Sequence, residues 1–422
     1  MIQRQALQEF KQLLIGPRGR LIALTGARQV GKTTLVRQMN PDWSYIDLDD
    51  PITRPILENL SVDDWLSRYR KVVLDEVQKL PSLFETFKAC HDRDPEFRAI
   101  LLGSSQLLVL EGIRESLAGR AALLELFPLM LSEIVSHRAK TERKGRLGQL
   151  LSAESPSGVL ASWEDPFRRL NPTTAVESAA WDKMKTEGGM PALWADVEWS
   201  DSDKRQWRED YVRTYLQKDL ADVAKLDHLE PFVRLLRMAC LRTAQLANWS
   251  DLAREAGISA PSARTWMSHL EAGYHAILLP PWFRNREKRL VKAPKLHILD
   301  AGVRRAVLRK TGEVDGAEFE TAVVAEFWKA IRTSRLPVDA WHLRTADGRE
   351  VDLLLERSDG YIAIECKSSS HVAPGDARHL SDLAALLDKP VLAALVVSDD
   401  AAFRRLVPDS GIWAIPANFL LS

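Results

Sequence analysis

Residues 26–33 read G-A-R-Q-V-G-K-T, with two glycines, a lysine and a threonine at the spacing of a phosphate-binding loop. Ahead of it, residues 21–24 form an apolar run suited to a buried parallel strand. Behind it, residues 33–39 carry apolar side chains at helical spacing. Loop and helix start therefore coincide. Backbone N–H groups and the positive end of a helix dipole, about half an elementary charge, then point at one place, and a phosphate chain fits there. Gly26 and Gly31 allow the tight curl that a Cβ would block. Between and beyond them, Ala27, Arg28, Gln29, Val30 and Thr34 complete the cradle, Lys32 reaches the terminal phosphates, and the Thr33 hydroxyl can ligate magnesium.

A magnesium nucleotide also needs carboxylates at the tip of a neighbouring strand. Val72, Val73 and Leu74 form a run suited to a strand buried on both faces, and it ends in Asp75 and Glu76. Asp75 is expected in the magnesium shell and Glu76 is expected to polarise water. A third apolar strand, residues 99–102, runs into Gly103, Ser104 and Ser105, so Ser104 or Ser105 is a candidate sensor of the terminal phosphate. Farther on, Arg120 in L-A-G-R could reach a phosphate of its own chain or of a neighbouring one; the plain alternative is a solvated arginine at a helix end.

The chain has 422 residues, which favours two or three domains, and 45% hydrophobic residues can fill them. Fifty-eight basic residues cancel 58 acidic ones, so no global field advertises nucleic acid. The balance is uneven along the chain: residues 204–310 hold 21 Lys plus Arg against 11 Asp plus Glu. Cys90, Cys240 and Cys366 are too far apart for a zinc site or a disulfide framework, which points to a reducing compartment. The first residues lack the layout of an export signal and no apolar run approaches the length of a membrane span, so a soluble cytoplasmic protein without membrane partners is expected.

Residues 1–200 read as the nucleotide domain, with 137–187 as a polar, partly helical surface excursion. Residues 201–312 read as a helical unit, opening with a helical pattern over 204–225. Inside it, Ser250 can cap a short helix, Gly257 makes a turn, and Ser259 with Pro261 opens a second helix: a helix-turn-helix, with residues 274–283 suited to the strands of a wing. Its second helix could enter a major groove through Ser262, Arg264, Thr265 and Ser268. A run of Arg284, Arg286, Lys288, Arg289, Lys292 and Lys295 adds positive charge suited to DNA phosphates. The competing reading is a lid packed on the nucleotide domain without touching DNA.

In the last unit, 313–422, Asp352 interrupts one apolar strand, residues 358–360 make a turn, and a second strand carries Glu365 and leads to Lys367. Residues two apart share a face of a strand, so Glu365 and Lys367 project together and Asp352 can meet them. Two carboxylates converging in this way could bind magnesium, as Asp352 and Glu365 would, and a neighbouring lysine could steady a phosphodiester. The upstream helical stretch offers Glu320 or Glu326 as a further acid, with Glu320 preferred.

The order of these motifs resembles a prokaryotic family of AAA-type ATPases with a carboxy-terminal domain of unknown function. The likeness rests on G-A-R-Q-V-G-K-T-T-L, V-V-L-D-E-V-Q-K, L-L-G-S-S, G-G-M-P, K-A-P-K-L-H-I-L-D-A-G-V, E-V-D-L-L-L-E and I-E-C-K. It implies an α/β architecture of three parts: a P-loop AAA-type parallel-sheet domain, an α-helical winged-helix domain, and an α/β restriction-endonuclease-like domain of the PD-(D/E)xK type. In that last fold Asp352, Glu365 and Lys367 fall on the catalytic motif and Glu320 on its helix. ATP and Mg2+ are the implied cofactors, duplex or branched DNA the implied partner, and a homo-oligomer, in the form of a ring, an expected assembly. The function expected is ATP hydrolysis coupled to DNA processing; a nucleotide-dependent switch with a winged-helix lid and a non-catalytic end domain is the alternative.

Overall fold

A computed structural model describes residues 2–104, 109, 112–113, 115–141, 145–164, 172–195, 199–216, 229–285, 287, 289, 292–345, 347–407 and 410–422. Ser105, Arg286 and Lys288 lie outside the described residues, as do residues 217–225 of the predicted long helix. Its described part is the helix Asp201–Tyr211, continued by a wider π-type turn over Val212–Leu216.

The first unit is built on five parallel strands, β1 (Leu21–Thr25), β2 (Ser44–Asp47), β3 (Lys71–Asp75), β4 (Arg98–Gly103) and β5 (Ala121–Glu125), in the order β2-β3-β4-β1-β5. Alternation along the strands splits the core in two. Ile22, Leu24, Val73, Ile100 and Leu102 pack on one face, and Leu21, Ala23, Val72, Leu74, Ala99 and Leu101 pack on the other. Both faces are covered, which is why these strands read as unbroken apolar runs. Because β4 lies between β1 and β3, all three carboxyl ends open on one edge of the sheet.

The stretch read as a surface excursion is helical but not peripheral. Helix Pro172–Glu187 buries Ala180, Trp181 and Met184, and Trp181 meets Phe319 edge-on at 5.9 Å. Leu147, Leu150, Leu151 and Leu160 are buried ahead of it. Glu177 and Lys185 are buried on the same helix, paired with Arg146 and Asp399, and these charged positions masked the apolar spacing.

The second unit runs through helix Glu230–Leu241, β6 (Gln245–Leu246), helices Trp249–Ala256 and Ala260–Ala272, β7 (Ala276–Leu279) and β8 (Lys295–Ile298). The strands form a small antiparallel sheet in the order β6-β8-β7. Asn248, not Ser250, caps the first of the paired helices by accepting from Asp251 N. Gly257 at φ 72° turns the chain, and Ser259 caps the second helix, with Pro261 in its first turn.

The third unit places helix Gly316–Thr333 against a six-stranded sheet of β9 (Asp339–Arg344), β10 (Glu350–Glu356), β11 (Tyr361–Lys367), β12 (Val391–Ser398), β13 (Arg404–Val407) and β14 (Ile412–Pro416), ordered β13-β14-β12-β11-β10-β9. β10 and β11 form the antiparallel hairpin expected from the sequence, and β11, β12 and β14 are parallel. One apolar cluster runs from Phe10 and Ile22 through Trp181 and Leu252 to Phe319 and Leu420, so the three units share packing.

The G-G-M-P turn acts as a clasp between units. Gly188 has φ 74°, and a Cβ there would sit 2.1 Å from Asp300 Oδ1; a Cβ on Gly189 would sit 2.3 Å from the Leu129 carbonyl. Asp300 accepts from Gly189 N at 2.8 Å and caps the helix Ala301–Leu308 through Val303 N. Only glycine fits where a carboxylate and a neighbouring backbone approach this closely.

Candidate functional site

The loop after β1 curls as its composition demands. Gly31 sits at φ 95° as the residue before helix Lys32–Met39, and a Cβ on Gly26 would lie 2.1 Å from the Leu126 carbonyl, where β5 continues alongside. Lys32 lies inside the curl, with Nζ donating to the carbonyls of Gly26 and Ala27 at 2.8 and 2.9 Å. Arg28, Gln29, Gly31, Lys32, Thr33, Thr34, Asp75 and Glu76 line one cleft together with Tyr45, Asp47 and Asp49. Ala27 and Val30 are buried beneath it. From outside, Arg4 braces the loop by donating to Val30 O at 2.7 Å and to Phe127 O at 2.5 Å while pairing with Glu133 at 3.1 Å.

Asp75 ends β3 directly opposite. Its Oδ2 accepts from Thr33 Oγ1 at 2.6 Å and from Tyr45 OH at 2.7 Å. Burial first, and then Asp75, push the Tyr45 phenol above its ordinary pKa, so it stays a donor. Glu76 adopts φ 54°, an uncommon backbone for a residue with a side chain. Its Oε2 accepts from Ser104 Oγ at 2.9 Å and from the Gln78 amide, and Arg28 lies 4.0 Å from its Oε1. A hydroxyl beside a carboxylate suits magnesium, which takes a few protein oxygens and completes its shell from water and phosphate. Among the described residues no set of three or more His, Cys, Asp or Glu side chains is arranged to hold a metal unaided.

Arg120 stands elsewhere. It immediately precedes β5, whose first residue pairs with Leu21 at the start of β1, whereas the phosphate loop follows the far end of that strand. Five residues of strand separate the two edges, roughly 16 Å. Arg120 instead holds Asp92 with two bonds of 2.8 Å, drawing that carboxyl down to about 2. It is therefore not a finger for its own site.

In the third unit Glu320 and Asp352 do converge, around a residue expected from the sequence on the basic surface. Lys295, the first residue of β8, has a side chain only 3% exposed, and its Nζ lies 2.6 Å from Glu320, 3.0 Å from Glu350 and 2.9 Å from Asp352. Asp352 also accepts from Cys366 N at 2.9 Å. Lys367 bonds Glu365 Oε1 at 2.9 Å. Burial, reinforced by Asp352, raises Glu365 to about 7 and Glu320 well above the ordinary carboxylate range. Burial works against the Lys295 ammonium, but Asp352, Glu320 and Glu350 outweigh it and raise its pKa. Glu326 takes no part: it is buried against the first unit, accepting from Leu131 N at 2.8 Å.

The predicted DNA-facing residues divide. Arg264, Thr265, Ser268 and Arg284 are exposed and Ser262 is half-buried. Arg289 is withdrawn from solvent, paired with Glu356 at 2.8 Å and lying over the Trp341 ring. Arg289 and Lys295 therefore leave the basic run, because their partners sit on the third unit.

Comparison with known proteins agrees with the first site. Residues 18–135 match the family described as AAA domain; residues 179–313 and 315–420 match two domains of unknown function, DUF8612 and DUF4143. Residues 18–135 are thus similar to an AAA domain. An uncharacterized protein of Mycobacterium tuberculosis and one of Mycobacterium bovis are each 26% identical over 418 residues, covering 96% of this chain and 82% of theirs. Among solved structures, the Aeropyrum pernix ORC2 protein in its ADPNP–ADP complexes has a TM-score of 0.31 at 16% identity, over 65% of this chain and 86% of that one. A STAND protein with a tetratricopeptide repeat sensor from Pyrococcus horikoshii has a TM-score of 0.27 at 12% identity, over 79% and 48%. Among the described residues no helix is long and apolar enough to cross a membrane.

Proposed function

We propose that this protein is a magnesium-dependent ATPase of the cytoplasm whose turnover is coupled to engagement of DNA. The observation that carries the reading is the closed set of Lys32, Thr33, Asp75, Glu76 and Ser104 at one sheet edge. Lys32 exchanges the Gly26 and Ala27 carbonyls for phosphate oxygens. Thr33 and Asp75 would hold magnesium, which would supply neutralisation of the phosphate charge. Glu76 orients and polarises the attacking water, and Ser104, bonded to Glu76, links that carboxylate to the terminal phosphate.

The DNA half rests on the middle unit. Its order of helix, short strand, two helices and hairpin supports a winged-helix reading, and Arg264 and Thr265 stand exposed on the second of the paired helices. We read the third unit as nuclease-like, with Glu320, Asp352, Glu365 and Lys367 as its acid centre, and a homo-oligomer as the assembly in which Arg120 could serve a neighbour. The test is ATP turnover with and without duplex and branched DNA at low salt. Stimulation supports the coupling; turnover indifferent to DNA, together with no DNA binding, removes it and leaves an ATPase. A switch with a winged-helix lid is the second reading. It is favoured by the docking of the hairpin on the third unit, where Trp282 N donates to His342 O at 2.6 Å and His342 N to Pro280 O at 2.9 Å.

A further inference from the structure

The acid centre of the third unit already contains a cation, and that cation belongs to the second unit. An ammonium has three donors and no acceptor. Around Lys295 Nζ stand three carboxylates, Glu320, Glu350 and Asp352, at 2.6, 3.0 and 2.9 Å. A magnesium, manganese or calcium ion would sit about 2.0–2.6 Å from the same oxygens, so it and the ammonium compete for one position. We propose that Lys295 is the resident cation of this centre and that it keeps divalent metal out while the described residues of the 280–295 segment stay docked on the third unit.

Three observations support this. First, delivery is fixed: the segment is stitched to the third unit by the Trp282–His342 and His342–Pro280 backbone bonds and by the buried Arg289–Glu356 pair, and β8 then places Lys295. Second, the centre retains unused capacity. Glu365 is 5% exposed, and its Oε2 has no hydrogen-bond partner among the described residues, although Lys367 satisfies Oε1. Third, the charges do not close. Glu320, Glu350, Asp352 and Glu365 face Lys295 and Lys367, which leaves two formal negative charges over. Removing the ammonium would leave a more negative pocket with an oxygen already free to ligate.

This inference rests on the nuclease-like reading only for what a cation would do there, and not at all on ATP turnover. It is tested by counting Mn2+ bound per full-length chain by electron paramagnetic resonance, wild type against Lys295→Met, with a saturating non-hydrolysable ATP analogue in every sample. Expected is one further Mn2+ in Lys295→Met, at least tenfold tighter than any second ion in the wild type, lost again in Lys295→Met/Asp352→Asn. The fall in melting temperature in chelator, and its recovery with Mn2+, should also be larger in Lys295→Met than in the wild type. A second Mn2+ in the wild type with affinity equal to the variant's overturns the proposal, as does a variant that gains none. If Lys295→Met does not fold, Lys295→Met/Glu320→Gln, with one carboxylate neutralised, is held to the same two outcomes. Because the difference between chains is read, a protein without nucleotide affinity or ATPase activity gives the same answer for Lys295.

Discussion

The Thr33 hydroxyl and the Asp75 carboxylate, 42 residues apart in the chain, meet at 2.6 Å across the edge between β1 and β3. In the proposed ATPase magnesium would be held by both, and Tyr45 donates to the same Asp75 oxygen. Asp75→Asn is expected to lower ATP turnover by about a hundredfold or more, in line with loss of one preorganised charge-stabilising group, while metal-free nucleotide binding persists. Tyr45→Phe removes a donor that competes with the metal. It should lower the magnesium concentration for half-maximal turnover by roughly threefold, about the net worth of one hydrogen bond. Steady-state rates titrated with Mg2+ check both; equal magnesium dependence in Tyr45→Phe and wild type would discard the competition.

Much of this first site was legible because its information is local. Gly31, Lys32 and Thr33 are neighbours, and Asp75 with Glu76 ends an apolar run. The contributions of Tyr45, Gln78 and Arg4 were not, since each depends on which strand or helix lies beside which. Lys295 shows the limit most clearly. Among Arg284, Arg289 and Lys292 it read as one more surface charge, yet in K-L-H-I both Lys295 and His297 are buried at alternate positions of a strand. A strand with polar residues at i and i+2, both facing the third unit, carries the signal of a buried charge centre only once that unit's acids are in place. The excursion over 137–187 failed similarly: Ala180, Trp181 and Met184 look sparse in sequence but are buried together.

Gly188 supplies a stability test. With φ at 74° and Asp300 Oδ1 2.1 Å from any added Cβ, Gly188→Ala must both strain the backbone and displace the carboxylate that caps helix Ala301–Leu308 and binds Gly189. Left-handed strain alone is on the order of 1 kcal/mol and an affected cap adds a similar amount. A loss of at least about 2 kcal/mol is expected in urea denaturation. Gly348→Ala, also at positive φ but with open space around it, should lose only the backbone part.

His342 should make the fold acid-sensitive. Burial, with the nearby Lys295 charge adding to it, lowers its pKa to about 4 against 6.5 for the free side chain; the Ala293 carbonyl, 3.4 Å from Nε2, and then the Glu350 charge oppose this. A base whose folded pKa is depressed binds protons more readily when unfolded. Its contribution is therefore complete above pH 6.5 and is lost as pH falls from 6.5 towards 4. Between about pH 7 and pH 5 the loss from this residue is about 2 kcal/mol. His342→Leu should flatten the stability profile by that much across the window, leaving the parts due to His275 and His297, which are shifted in the same direction by burial. Parallel profiles for the two proteins would show that His342 is solvated or already protonated.

The divided basic run makes the DNA reading testable residue by residue. Arg264 and Arg284 are exposed, whereas Arg289 is committed to Glu356 and covered by Trp282 and Trp341. A phosphate contact releases condensed counterions, so each one lost should flatten the plot of log affinity against log salt by about 0.9 for duplex DNA. Arg264→Ala and Arg284→Ala are each expected to weaken duplex binding and reduce the slope by about that amount, measured by fluorescence anisotropy over a salt series. Arg289→Met should leave the slope where it is in the wild type, because its guanidinium never reaches a phosphate while the hairpin is docked. A reduced slope in Arg289→Met would mean that the hairpin lifts off the third unit when DNA binds, which is also the movement that would withdraw Lys295 from the acid centre.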